Sequence, residues 1–282
     1  MEDRIMKNAS AITCILFAAI TSVTAFSAPK ADRIDIHYVT PKTPEHQQIH
    51  DALRERQVLE RLQEFLSPFK LPRALKISLA GCDGEADAFY GDDDITICYE
   101  YIEELWQRMP KETTSSGVEP YDAFVGPLID TSLHEFGHAL IDMHDLPVLG
   151  RVEDAADQLA AYIYLQLGPE ESLRLIRGTA YAFLYEASSK QAPSMAEYAN
   201  EHGTPAQRAY NVLCIAYGAD PKLFGQIVDE GILPWERAEF CDEEYEQIQD
   251  AFEELISPHI DYALAKENFD RSWLSEAKGQ SK

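Results

Sequence analysis

Basic residues are scarce in this sequence, and their scarcity limits the partners that the protein can have. Only 24 lysines and arginines stand against 49 aspartates and glutamates, which gives the 282-residue chain a formal net charge of −25. Such a charge repels phosphate backbones and anionic lipid headgroups, so we expect neither nucleic acid nor a membrane surface as a partner. The sequence also lacks internal repeats and low-complexity tracts, which argues against repeat arrays and disordered chains.

Long apolar runs are absent except for one near the N-terminus. Lys7 precedes an apolar stretch over 11–26, and small residues follow around 25–28, as in an export signal. The uninterrupted apolar part is shorter than the roughly 20 residues that a membrane span needs. We therefore predict a signal peptide over 1–27, with cleavage near 25–28, and a mature protein that is secreted or periplasmic and free of the membrane. An uncleaved anchor is the alternative interpretation.

Cysteine is also rare, with five residues in the whole chain. Cys14 would be removed with the signal, and the other four show no Cys-x-x-Cys spacing, which argues against a thiolate metal site. An even number of cysteines in an exported chain favours two disulfides, for which three pairings exist. We predict the local pairings, Cys82 with Cys98 and Cys214 with Cys241.

The hydrophobic pattern predicts an α+β fold, in which a small N-terminal sheet is followed by a mostly helical C-terminal half. Alternating residues predict strands over 33–39 and 74–80 and a hairpin over 88–99, with a helix over 45–66 between the first two strands. Helical periodicity then predicts further helices over 100–108, 130–143, 151–167, 173–185, 207–216, 223–228 and 245–255.

The pattern His-Glu-x-x-His, formed here by His134, Glu135 and His138, indicates a metal site on one of these helices. Histidines four residues apart lie on one face of a helix, so both rings can bind the same ion. Glu135 is then placed to reach a water molecule on that ion, as in zinc peptidases. The neighbouring residues are apolar or uncharged, as a buried helix requires. A chance match would instead make both histidines ordinary residues of a structural protein.

Zinc at a catalytic site needs a third protein ligand and an open fourth position. His144 has the spacing of one known class, but the position where that class has a glycine holds Ile141, which disfavours the left-handed turn required. We expect His144 to remain solvated near the helix end. Glu153 and Asp157 share a face of the next helix, so either carboxylate can complete the zinc site while the other accepts the free ring N–H of a ligand histidine.

The motif followed by Glu-x-x-Ala-Asp resembles the gluzincin zinc peptidases, including the CAAX prenyl endopeptidases. The resemblance implies that Glu153 is the ligand and Asp157 its supporting residue. Only fourteen residues separate His138 from Glu153, fewer than in many gluzincins, so simple hairpin register favours Asp157 as the alternative ligand. Asp87-Ala88-Phe89-Tyr90 is similar to the edge strand with which gluzincins hold an extended peptide, with Asp87 in place of the usual asparagine.

Most of the mature chain, including Cys214 and Cys241, resembles a bacterial family of secreted metallopeptidases of unknown function. This resemblance implies a zinc-binding catalytic region over 28–168, with the edge strand beside the active-site helix, and a helical subdomain over 169–282 that closes the cleft. It also implies a peptide or protein substrate.

The implied reaction is peptide hydrolysis, with Glu135 as general base and a side chain of the C-terminal half as donor to the oxyanion. His202 is our first candidate for that donor, followed by Arg208 and Tyr210. A second hypothesis keeps the fold and the zinc in a secreted binding or protein-interaction module without turnover. The intact motif favours the enzyme.

Overall fold

The computed structural model describes residues 33–189 and 192–274. The predicted signal peptide over 1–27 lies outside the described residues. Contacts within the chain group the described residues into one unit. The boundary that we predict at 168, between a catalytic region and a helical subdomain, stays a prediction.

A four-stranded sheet forms the N-terminal part of the described chain. Its strands are β1 (Ile34–Tyr38), β2 (Leu75–Ala80), β3 (Ala88–Gly91) and β4 (Asp94–Cys98). Across the sheet their order is β1-β2-β4-β3, in which β1, β2 and β4 run parallel and β3 is antiparallel to β4. Strand β3 therefore lies at an edge, where one side of its backbone is not paired within the sheet.

The apolar residues of the central strands explain why they occupy the middle of the sheet. Leu75 and Ile77 of β2 and Ile95 of β4 are fully buried. Parallel strands covered on both faces carry such near-continuous apolar runs. In the edge strand β3, by contrast, Phe89 is exposed.

The predicted hairpin of β3 and β4 is confirmed, and its turn consists of two aspartates. Asp92 and Asp93 both adopt left-handed backbone conformations, with φ values of 50° and 60°. Two-residue turns with positive φ at both positions match the twist of the flanking strands, and aspartate tolerates this conformation better than most residues. Asp93 also accepts a hydrogen bond of 2.7 Å from Nε of Arg73.

The single helix that we predict over 45–66 is wrong, because the chain forms two helices there. They are α1 (Pro44–Glu55) and α2 (Val58–Leu66). Gln57 between them has a φ of 53°, a left-handed conformation that ends the first helix. Both helices pack against the same core, so the helical spacing of apolar residues continues across the break. This spacing alone therefore does not reveal the break.

The C-terminal half is helical, which confirms the α+β class. Its elements are α3 (Tyr99–Arg108), α4 (Pro120–Met143), α5 (Val152–Leu165), α6 (Pro169–Ser189), α7 (Met195–Tyr198), α8 (Pro205–Ala219), α9 (Gln226–Asp229), α10 (Trp235–Ala238), α11 (Cys241–Leu255) and α12 (Tyr262–Phe269), with a 3-10 turn at Ser257–His259. Helices α7, α10 and α12 are not predicted by the hydrophobic pattern, because each is too short to show a clear helical period.

Helix α4 begins at Pro120, ten residues before the predicted start at 130, and Pro127 lies inside it. Proline lacks an N–H and disfavours a helix interior, so its presence conceals the earlier start. Tyr101 of α3 donates a hydrogen bond of 3.1 Å to the carbonyl of Pro127 and also contacts Thr131 Oγ1 at 2.7 Å. The partly buried tyrosine thus supports the helix around its proline.

Glycines allow α4 and α6 to cross at very short range. A Cβ atom added to Gly126 would lie 2.7 Å from the backbone nitrogen of Thr179 and 2.8 Å from the Cα atom of Gly178. No side chain fits in that space, so the crossing depends on glycine in both helices. Helix α4, which carries the metal-binding motif, is thereby held from one side by α6 and from another by α5.

Both predicted disulfides are confirmed. Cys82 pairs with Cys98, which joins the loop before β3 to the end of β4, and Cys214 pairs with Cys241, which joins α8 to the start of α11. Two disulfides indicate an oxidising compartment. Among the helices in the described ranges, none combines the length and the apolar character needed to cross a membrane.

Candidate metal centre

Helix α4 brings the side chains of His134 and His138 together. Their Nε2 atoms are 3.1 Å apart. On the same helix Leu133, Phe136 and Leu140 are fully buried in the core, and His134 itself is only 3% exposed. The apolar packing of α4 therefore fixes the direction in which both imidazoles point.

Glu153, in the first turn of α5, completes a group of three side chains. Its Oε2 atom lies 3.1 Å from Nε2 of His134 and 3.1 Å from Nε2 of His138. Two imidazole nitrogens and a carboxylate oxygen thus converge at one point, with an arrangement that can hold a metal ion.

Small residues explain why α5 comes close enough to α4 to place Glu153 there. A Cβ atom added to Gly137 would lie only 3.2 Å from the Cα atom of Ala156, and Ala156 is fully buried. This close packing fixes the register of the two helices. Of the two acidic residues that the sequence leaves open as third ligand, the structure places Glu153, and not Asp157, beside both Nε2 atoms.

Asp157 lies one turn further along α5, on the other side of the His134 ring. Its Oδ1 atom is 2.7 Å from Nδ1 of His134. Burial opposes ionisation of this carboxyl, but hydrogen bonds from His134 and Arg208 hold its pKa well below its usual range. The ionised carboxylate can only accept, so Nδ1 of His134 carries the proton and Nε2 is the nitrogen free to bind a metal.

Glu135 is a buried carboxylate next to the three clustered side chains. It is 7% exposed, and its Oε1 atom is 4.0 Å from Nε2 of His134. Burial raises its pKa to about 7, while the backbone N–H of Tyr90 in β3 donates to it and opposes the rise. A carboxyl with a pKa near neutrality is suited to accept and return a proton.

The edge strand β3 contacts α4, as predicted. Cys98 donates its backbone N–H to the carbonyl of Asp87 at 3.1 Å, and this register turns the backbone groups of Ala88 and Tyr90 away from β4. The Asp87 carboxylate accepts the N–H of Ala88 at 2.9 Å. The Ala88 carbonyl therefore faces the open edge, where an extended peptide can add as another strand.

His202 lies beside the cluster, in the loop before α8. Its Nε2 atom is 2.8 Å from Oε2 of Glu153, and its ring stacks on that of His134 with centroids 5.5 Å apart. It does not belong to the group of three whose ligand atoms all lie within 4.8 Å of one another. Burial lowers the pKa of His202, and the charge of Arg208 lowers it further. Nearly half of its side chain is exposed.

The structure does not bring His144 or Tyr210 into the cluster. His144 follows the last residue of α4, and its ring stacks on that of His259 with centroids 3.7 Å apart. It is thus packed against another residue, which corrects our expectation of a solvated side chain. Tyr210 packs against the hydrophobic core.

Arg208, our second candidate for the oxyanion donor, lies on the far side of Asp157 from the clustered Nε2 atoms. Its guanidinium donates from Nη2 to Oδ1 of Asp157 at 2.6 Å and from Nε to Oδ2 at 2.9 Å. The structure therefore places this cation behind the His134 ring.

The clustered groups strongly change one another's affinity for protons. Burial alone would lower the pKa of His134, but hydrogen bonds with Asp157 and Glu153 raise it to about 9. The hydrogen bond with His134 lowers the pKa of Glu153 to about 2, against its partial burial. A metal ion at this site therefore competes with a proton on His134.

Asp130 is a buried carboxyl that we did not predict from the sequence as a functional residue. It accepts a hydrogen bond of 3.1 Å from the hydroxyl of Tyr164, and burial, together with the charge of Asp157, raises its pKa to about 7. A signal for it was present, because Asp130 precedes His134 by four residues and so lies on the same face of the helix. An acidic residue on that otherwise buried face indicates a polar network behind the ligands.

Residues 38–256 match the model of a protein family, DUF4344, which is described as "Putative metallopeptidase". The match covers well over half of the chain. No curated protein and no solved structure matches the sequence.

Proposed function

The chain belongs to this family, and we propose that it is a secreted or periplasmic peptidase that uses zinc to hydrolyse peptide bonds. One observation carries the proposal. Nε2 of His134, Nε2 of His138 and Oε2 of Glu153 lie 3.1 Å from one another, with the carboxylate of Glu135 beside them.

The donor set fits zinc in both chemistry and size. Catalytic zinc sites combine three protein ligands, commonly nitrogen and carboxylate oxygen, with an open fourth position. Tetrahedral bonds of the usual zinc length place neighbouring ligand atoms about 3.3 Å apart, close to the separations found here. The Nδ1 hydrogen bond of His134 to Asp157 also leaves the correct ring nitrogen for the metal.

Zinc bound by these residues would supply the Lewis acidity that makes water a nucleophile near neutral pH and polarises a peptide carbonyl. Glu135 takes the proton from that water and delivers it to the departing amine. Its burial supports this role, because a pKa of about 7 lets the same carboxyl first accept and then release a proton. The backbone N–H of Tyr90 favours the ionised form of this carboxyl and so opposes the rise of its pKa.

His202 is the residue that we propose as donor to the oxyanion. Its Nε2 atom contacts Oε2 of Glu153 but lies outside the group of three ligands, so it would be free to donate to a substrate oxygen held beside them. Its loop ends at a capping box formed by Thr204 and Gln207, which fixes the start of α8 and the approach of the histidine. A donor fixed in this way stabilises developing charge without reorganisation.

The substrate that we propose is an extended peptide or protein segment. It would add to β3, whose outward backbone groups run past Glu135. The Ala88 carbonyl would accept a backbone N–H of the substrate, and peptide recognition by strand addition needs only such backbone bonds for affinity.

The location outside the cytoplasm is supported by two lines of evidence. The two disulfides indicate an oxidising compartment. The apolar stretch over 11–26 has the composition of an export signal.

The test is the mature protein, purified without chelators, next to its Glu135→Gln variant. We expect about one equivalent of zinc in both proteins, because Glu135 is not a ligand. We expect the wild type to cleave members of a proteome-derived peptide library and the variant to cleave none, because glutamine cannot accept the proton.

Two results would contradict parts of this proposal. Less than about a tenth of an equivalent of zinc in the wild type would refute the metal site. Identical peptide profiles for wild type and variant, with zinc bound in both, would refute the enzyme and favour the alternative, a zinc-binding module without turnover.

A further inference from the structure

The proposed mechanism gives no role to Arg208, a largely buried cation near the candidate metal centre. Arg208 of α8 has a side chain that is only 19% exposed, and its guanidinium lies over the ring of Phe183 in α6, 4.5 Å from the ring centroid. A buried charge is costly unless it is paired, so its position needs an explanation.

Arg208 pairs with the carboxylate of Asp157, which in turn contacts His134. Nε donates to Oδ2 of Asp157 at 2.9 Å, and Nη2 donates to Oδ1 at 2.6 Å. Two such bonds fix the plane of the carboxylate as well as its distance, which a single lysine ammonium does not do. The same Oδ1 atom lies 2.7 Å from Nδ1 of His134.

A second acidic residue explains why a cation is needed at this point. The buried carboxyl of Asp130 lies near Asp157, and each disfavours ionisation of the other. The positive charge of Arg208 offsets this repulsion. Arg208 can therefore hold the Asp157 carboxylate in place next to Asp130, with Oδ1 in contact with Nδ1 of His134.

We propose that Arg208 is a positioning residue of the metal centre, and that the chain Arg208–Asp157–His134 holds the His134 ring with Nε2 directed at the ion. The inference rests on the proposed function, because it assigns a task to Arg208 only if His134 binds metal. It also separates Arg208 from the oxyanion, since the cation lies behind the ring. Helix α8 thus contributes to the ligand geometry although none of its residues binds the ion.

This role predicts a specific loss when Arg208 is replaced. Substitution of residues that support a metal ligand typically weakens metal binding by about 10- to 100-fold. We expect a loss in that range for Arg208→Met, which keeps an unbranched apolar stem but removes the charge and the donors. Arg208→Lys keeps the charge without the paired bonds, and we expect a smaller loss.

The chain offers a matched control in another largely buried arginine–aspartate pair. Arg174 donates from Nε and Nη2 to Oδ1 of Asp122 at 2.9 and 2.7 Å, and its side chain is also 19% exposed. Arg174→Met should therefore reduce stability in a comparable way and leave zinc affinity unchanged.

The experiment titrates zinc into the metal-free mature proteins in competition with a chelating dye. Weaker zinc binding by Arg208→Met and Arg208→Lys, with wild-type affinity in Arg174→Met, supports the proposal. Equal affinity in all four proteins overturns it, and equal losses in both Arg→Met variants also overturn it by showing a general effect of stability. If the wild type itself binds no zinc, the proposed function fails and this inference fails with it. Zinc binding by the wild type therefore distinguishes a failure of the inference alone from a failure of both.

A double-mutant cycle tests whether Arg208 acts through Asp157. In the Asp157→Asn background, Arg208→Lys should weaken zinc binding no further, because the carboxylate that the arginine orients is already gone. Additive losses would show that Arg208 acts by another route and would overturn the proposed chain of contacts.

Discussion

The two disulfides allow a comparison in which similar stability losses should have different effects on activity. Cys82 and Cys98 are 16 residues apart, and Cys214 and Cys241 are 27 residues apart. The entropy of closing such loops in the unfolded chain predicts that removal of the first disulfide lowers the free energy of unfolding by about 3 kcal/mol. Removal of the second should lower it by about 3.5 kcal/mol. Replacement of each pair by alanine tests this without burying new polar groups.

The positions of the two bonds predict the difference in activity. Cys82–Cys98 holds the loop that leads into Asp87 and the edge strand, whereas Cys214–Cys241 joins α8 to α11. Glu100 also holds this loop, by accepting the N–H groups of Cys82 and Gly84 at 3.0 and 3.1 Å, so the strand should loosen but not detach. We expect KM for an extended peptide to rise severalfold in the first double variant only.

Urea unfolding followed by circular dichroism measures the stability, and initial rates on a cleaved library peptide measure KM. A loss below about 1 kcal/mol for either pair would refute the loop-closure reasoning. Equal changes of KM in both double variants would refute the role of the first disulfide in positioning β3.

Two further predictions concern the metal site. The pKa of His134 is about 9, and zinc needs its unprotonated Nε2, so zinc binding below pH 9 should release a proton. The apparent zinc affinity should then rise about tenfold per pH unit up to pH 9. Calorimetry in buffers of different ionisation enthalpy detects the released proton, and a zinc affinity that does not change with pH would contradict the prediction. Gly137→Val should force α4 away from Ala156 and lower the free energy of unfolding by about 1–3 kcal/mol. The same shift should displace Glu153 and weaken zinc binding. Urea unfolding and zinc titration measure the two effects, and an unchanged zinc affinity would show that this packing does not set the site.

Features that depend on neighbouring residues could be predicted from the sequence. The spacing of His134 and His138 sets their common face on any helix, and the aspartate turn between two alternating segments specifies the hairpin. The local disulfides follow the same logic, because close pairing in sequence makes close pairing in space easier. In each case the geometry is set within a few residues or one loop.

Features that depend on packing between distant elements could not be predicted. The resemblance to gluzincins implied Glu153 and not Asp157, but the residue pattern alone left both open, because the choice follows from the approach of α5 to Gly137. The early start of α4 was concealed by Pro127, whose place in a helix is supported by Tyr101 from another element. The break at Gln57 is a backbone conformation that the apolar period does not record.

The residues of the candidate metal centre come from segments far apart in the sequence, and this distance limits how much of the site can be predicted. The two histidines come from α4 and the carboxylate of Glu153 from the next helix. The residues that flank them, His202 and Arg208, lie 49 and 55 residues beyond Glu153 in the sequence. Both distant side chains contact α5, His202 at Glu153 and Arg208 at Asp157, so that one helix carries the contacts on either side of the His134 ring. The C-terminal helices therefore do more than cover the core, because α8 and the loop before it contact Asp157 and Glu153 on either side of the His134 ring, and the roles that we propose for Arg208 and His202 rest on these contacts.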